Sequence, residues 1–106
     1  MVREIYKSEV ERTGINGGIS QYVLFSIEKN LFRIRINLES YIHQSYAILE
    51  HYNNSGWATM IIKKPQDYNI HHSYKLVEDE ALHKDIFRYI IDDLKNYAIK
   101  IAKVIA

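Results

Sequence analysis

At 106 residues, with 47% hydrophobic and 25% charged side chains, the chain has the composition of one folded domain with its own core, not that of a disordered segment. Its formal net charge of +1 excludes the strongly basic signature of many DNA-coating proteins but leaves room for a local basic patch. The absence of cysteine excludes disulfides, thiolate nucleophiles and cysteine-ligated zinc.

The first residues, Met1-Val2-Arg3-Glu4-Ile5-Tyr6-Lys7, lack the apolar core of a signal peptide, and no apolar run reaches membrane-spanning length. The expectation is a cytoplasmic protein without membrane contact. Residues 2–12 fit either a helical stripe (Val2, Ile5, Tyr6, Val10) or one face of an edge strand (Tyr6, Ser8, Val10). Their charge density suits an exposed edge, which favours the strand. Thr13 to Gly18 is a turn, and lacks the spacing and the Lys-Ser/Thr of a phosphate cradle.

Ile19 to Lys29 reads as a strand with Ile19, Val23, Phe25 and Ile27 on one face, interrupted by Gln21. Lys29-Asn30 supplies a tight connection, with Asn30 suited to left-handed geometry. Next comes the least ambiguous stretch of the chain. Phe32, Ile34, Ile36 and Leu38 alternate with Arg33, Arg35, Asn37 and Glu39, one oily face and one wet face. Such a strand implies a sheet buried on one side and open to water on the other. The alternation weakens through residues 39–44 and returns as Tyr46, Ile48 and Tyr52 against Ala47, Leu49 and His51. A strand over 31–52 is too long to be unbroken, and a bend or bulge is the favoured break there, a turn the alternative.

Asn53-Asn54-Ser55-Gly56 is the strongest turn in the chain and predicts a hairpin between 45–52 and 57–63. Pro65 ends that strand. Residues 64–77 form the longest loop, in which Tyr74, Leu76 and Val77 suit a short strand. From about residue 78 to 105 the pattern is helical: acidic residues open it, lysines lie near its end, and Leu82, Ile86, Ile90, Leu94, Tyr97, Ile101 and Ile105 recur at three- and four-residue steps. Phe87, Ile91 and Ala98 widen this stripe, and Glu80 with Lys84 and Arg88 with Asp92 are four-residue pairs on its wet side. At roughly 40 Å such a helix outruns a strand of usual length, making Ala98 to Ala106 a candidate overhang and Ile101 and Ile105 candidates for self-association as a homodimer. The predicted fold is α+β: an antiparallel meander of four to five strands over about 2–63, packed on one long C-terminal helix.

Chemistry is harder to find. The five histidines (His43, His51, His71, His72, His83) show no ligand spacing for zinc, so neither metal nor cofactor is expected. Glu39, Tyr41 and His43 share one side of a straight strand, but Glu39 and His43 stand about 13 Å apart, too far for an acid–base pair. No catalytic residue is assigned, and an enzyme of unknown chemistry is the least favoured reading. Arg33 and Arg35 with Tyr41 and His43 on an open sheet suit single-stranded nucleic acid, against which stand the near-neutral charge and the prospect that Glu28 or Glu39 pairs the arginines. A surface carrying Arg33, Arg35, Tyr41, His43 and Trp57, in a chain with 9 tyrosines, is also what protein interfaces use. Trp57 has the alternative of plugging the core. The expectation is a small non-enzymatic protein that occupies another protein or protein complex. The AT-rich codon texture of an Ile-, Lys-, Asn- and Tyr-rich chain suggests a phage- or mobile-element-encoded inhibitor of a host defence complex (anti-CRISPR-like), with nucleic-acid binding as the alternative.

Overall fold

The computed structural model describes residues 1–12, 17–40, 44–72 and 74–105, Tyr74 by its backbone alone. Six strands, β1 (Val2–Lys7), β2 (Glu11–Arg12), β3 (Ile19–Ile27), β4 (Asn30–Leu38), β5 (Tyr46–Asn53) and β6 (Gly56–Lys63), are followed by two helices, α1 (Tyr74–Glu78) and α2 (Glu80–Ile105). The strands form one antiparallel sheet in the order β1-β3-β4-β5-β6, with the two-residue β2 beside β3 on the β1 edge. This is the expected α+β meander under a long helix. Residues 2–7 and 11–12 are strand, as the charge density of this stretch suggested, with a break over 8–10. Ser8 patches the break between β1 and β2: its amide reaches Tyr22 O at 2.9 Å, and its hydroxyl accepts the Tyr22 amide at 2.9 Å.

Alternation decides which side is buried. Ile19, Val23, Phe25 and Ile27 of β3, Phe32, Ile34, Ile36 and Leu38 of β4, and Ala47 and Leu49 of β5 meet Phe87, Ile90, Ile91, Leu94, Ala98 and Ala102 of α2 in one core. Phe25 and Phe32, paired across β3 and β4, stack with ring centroids 5.6 Å apart. Truncating Phe32 to alanine removes about 3–5 kcal/mol, the usual loss for a buried aromatic. At the rim, Lys95 reaches Glu4 at 3.2 Å, and the Tyr68 hydroxyl donates to Asp93 at 2.9 Å. Two bulges break the period of the sheet, at Ile5 in β1 and at Met60 in β6.

Several expectations change. β4 and β5 are not one long bent strand: Asn37 pairs with Tyr46 in an antiparallel ladder, so the chain reverses between them. Ser45 braces the reversal by accepting the Glu39 amide at 2.8 Å, while residues 41–43 lie outside the described residues. In the β3–β4 turn the left-handed residue is Glu28 (φ 55°), and Asn30 is already paired with Ile27. Pro65–Tyr68 forms a 3-10 turn, and residues 74–78 are helical, not strand. Asp79 joins the two helices. Its amide bonds Lys75 O and its carbonyl accepts the His83 amide, both at 3.0 Å, while its carboxylate caps the Leu82 amide at 3.2 Å. His83 is buried in that joint, with Nδ1 3.0 Å from Leu76 O. A carbonyl only accepts, so Nδ1 carries the proton.

The buried stripe of α2 is also rotated from the predicted one: His83 and Ala102 are inside, whereas Leu82 and Ile105 are exposed. Ala98 and Ala102 are buried and Ile101 packs on the core, so the overhang shrinks to Lys103, Val104 and Ile105. Glu80 pairs with Lys84 at 2.8 Å as expected, but Arg88 approaches Asp85, on the turn before it, at 3.9 Å and not Asp92 on the turn after. No helix among the described residues is long and apolar enough to cross a membrane.

Candidate functional site: the open face of the sheet

All of α2 lies on one side, so the other face of the sheet has no cover among the described residues. Parity places Tyr22 and Leu24 of β3, Arg33 and Arg35 of β4, and Ile48 and Glu50 of β5 on that face. The ladder sets Arg33 directly opposite Glu50 and Arg35 opposite Ile48. Both arginines lean onto one carboxylate: Nε of Arg33 and Nε of Arg35 each lie 2.7 Å from Glu50 Oε1, and Nη2 of Arg33 lies 3.2 Å from Oε2.

The two arginines are not equivalent. Arg33 is bidentate on Glu50, and its guanidinium also lies 4.2 Å from the Trp57 ring centre, a cation–π contact. Hydrogen bonding to Glu50 raises its pKa further above an already high value, against desolvation. The same bond is the chief cause holding the Glu50 carboxyl below the ordinary range, again against desolvation. Arg35 engages Glu50 through Nε alone, and its side chain remains 41% exposed. Two guanidiniums against one carboxylate leave one positive charge, and it stands at Arg35.

Aromatic rings flank this group on both sides. Trp57 meets Tyr52 edge-on at 5.4 Å, and Tyr6 of β1 meets Tyr22 of β3 at 6.2 Å. Between Arg35 and the β1–β2 edge the face dips into an open recess of about 450 Å³, lined by Tyr6, Ser20, Tyr22, Arg35, Asn37 and Tyr46.

Of the residues singled out in the sequence, Arg33, Arg35 and Trp57 therefore converge. Trp57 stands on the wet face and does not plug the core. Tyr41 and His43 lie outside the described residues. Neither expected partner of the arginines takes that role: Glu28 is at the β3–β4 turn, 3.2 Å from the Met1 amine, and Glu39 accepts Asn37 Nδ2 at 2.8 Å. Glu50 was the missed residue, although its parity with Tyr46, Ile48 and Tyr52 could have been read. Tyr22 and the apolar Leu24, Ile48 and Ile62 on the same face were missed as well.

The four described histidines are dispersed. His51 packs beside Phe32 at 5.0 Å, His71 bonds Asn69 at 3.1 Å, His72 is exposed and His83 is buried in the helix joint. Among the described residues no three His, Asp or Glu side chains gather as metal ligands would. What the geometry defines is an α+β protein presenting an aromatic sheet face, uncovered among the described residues, with a half-neutralised arginine pair at its centre. Comparison with family models, with curated proteins and with solved structures returns no match.

Proposed function

We propose that this chain is a non-enzymatic binding module that occupies another protein through the open face of its sheet. The observation that carries the reading is the composition of that face. Tyr6, Tyr22, Tyr46, Tyr52 and Trp57 surround a cross-bonded Arg33–Glu50–Arg35 group, with Leu24, Ile48 and Ile62 between them. Tyr, Trp and Arg dominate interface energetics, and rigid aromatic anchors lose little side-chain freedom on binding. Apolar side chains between the rings add area that a protein partner buries and a phosphate backbone does not.

Nucleic acid remains the second reading because Arg35 and tyrosine rings share the face. Against it, Glu50 already engages both arginines, which lowers the attraction for a polyanion. An inhibitor of a host defence complex, in keeping with the codon texture, is the specific form we propose for the module.

The test is affinity capture from a lysate of the source cells, with and without nuclease, using the wild-type chain, Trp57→Ala with Ile48→Glu on the sheet face, and Leu82→Glu on the exposed side of α2. One protein complex held at stoichiometric level by wild type and Leu82→Glu, and lost by the face variant, supports the reading and names the target. Capture that disappears with nuclease, or that the face variant leaves intact, overturns it.

A further inference from the structure

Resting on the reading of the open face as a protein-binding surface, we propose that Arg35 anchors the partner by receiving one of its acidic side chains in the recess between Tyr22 and Tyr46. The inference starts from how Arg35 is held. Its Nε is fixed on Glu50 at 2.7 Å, while its two terminal nitrogens have no partner among the described residues. A guanidinium tethered at Nε presents its remaining nitrogens in a set direction, and a carboxylate fits two of them side by side. Arg33 cannot do this. It is bidentate on Glu50, and its guanidinium carbon lies 4.2 Å over the Trp57 ring.

The recess supplies the rest. Tyr6, Tyr22 and Tyr46 give it aromatic walls, and Ser20 adds a hydroxyl. Charge selects the occupant. The one guanidinium left over from the Glu50 pairing matches one carboxylate, whereas a phosphate chain needs a row of cations, and Glu11 on the rim opposes a run of negative charges more than a single one. Leu24 and Ile48 beside the recess suit the apolar neighbours of an acidic residue in a protein. The site thus works as a preorganised socket: Glu50 holds the arginine from behind, and the partner's carboxylate meets it from the front.

The experiment is a solution NMR titration of the full chain with defined probes. These are the capped tripeptide acetyl-Tyr-Glu-Tyr-amide, its Gln counterpart, inorganic phosphate and a single-stranded oligothymidylate. The Glu peptide shifts the amides of Ser20, Tyr22, Asn37 and Tyr46 saturably, and the Gln peptide binds at least about fivefold more weakly, because it loses the charge-assisted bonds. Arg35→Gln brings the Glu peptide down to the level of the Gln peptide. Ser20→Glu does the same by placing a like charge in the recess while leaving the Glu50 pair untouched, so the result does not hang on one variant's folding. Equal shifts from both peptides, no saturable shift, or indifference to both substitutions overturns the anchor. Shifts confined to Tyr52 and Trp57 remove the anchor but leave the face as a binding surface. Tighter binding of phosphate or oligothymidylate than of the Glu peptide overturns the anchor, and the oligothymidylate result removes the protein reading with it.

Discussion

Glu50 is only 5% exposed although it stands on the uncovered face of the sheet, and Arg33 is what covers it, with Nε at 2.7 Å and Nη2 at 3.2 Å. A carboxylate this hidden is tolerable only because its oxygens are bonded. Replacing it by glutamine leaves two guanidiniums on one strand facing each other without their counter-charge. Glu50→Gln should therefore lower stability by about 1–2 kcal/mol. That is less than the 3–5 kcal/mol typical of a sealed pair, because solvent screens Arg35. Urea unfolding measures it, and a change within about 0.5 kcal/mol would mean that the triad is structurally idle.

The same bonds set a pH dependence. Glu50 is held below the ordinary carboxyl range when folded, chiefly by its bonds to Arg33, and titrates near about pH 4.3 when unfolded. A depressed folded pKa contributes stability that is present above the unfolded value and is lost as pH falls through the folded one. The unfolding midpoint of the wild type should thus drop below about pH 4.3 more steeply than that of Glu50→Gln. Parallel profiles between about pH 5 and 2.5 would sink the assignment.

At the other end of the scale stands Tyr68. Its hydroxyl donates to Asp93 at 2.9 Å, and burial first, then the carboxylate, push its pKa well above the ordinary value of 10. A raised folded pKa gives stability that is full below the unfolded value, about 10, and is lost as pH rises through the folded one. Tyr68→Phe should cost about 1 kcal/mol near neutrality, and the loss should shrink above about pH 10, where the unfolded wild-type tyrosine gains from ionising. Thermal melts of the two proteins from pH 7 to 11 decide it. A constant difference across that range contradicts the coupling.

Why some of this was legible in the sequence and some not has particular physical reasons. The alternation over residues 32–39 needs no tertiary knowledge, because a strand half-buried in a sheet writes its own period, and it placed Arg33 and Arg35 correctly. Their partner depends on register. Whether the arginines meet Glu28, Glu39 or Glu50 is decided by the reversal after Leu38, and local pattern there favoured a bend. Trp57 was ambiguous for a different reason. Ile61 faces the core opposite Leu49, and counting back by twos would put Thr59 and Trp57 inside as well. The bulge at Met60 shifts the count by one and turns both outward, opposite Glu50 and Tyr52. In the helix the three- and four-residue recurrence found the element, but Ala and His carry little pattern weight, so the buried His83 and Ala102 edge of its stripe went unread.

That rotation of α2 separates two isoleucines that the sequence treats alike. Ile101 packs on the core, whereas Ile105 is 43% exposed and its neighbour Val104 84%. Ile101→Glu should therefore cost about 2 kcal/mol or more, because it forces a charge against apolar side chains. Ile105→Glu should stay within about 0.5 kcal/mol. Self-association through this end, which we keep as a proposal, then depends on Val104 and Ile105, and the double variant Val104→Glu, Ile105→Glu tests it without touching the core. Sedimentation of wild type as a dimer and of that variant as a monomer, with equal unfolding midpoints, is the expected outcome. A wild type that is monomeric at every concentration removes the proposal, and equal losses from Ile101→Glu and Ile105→Glu would show that the helix is rotated otherwise.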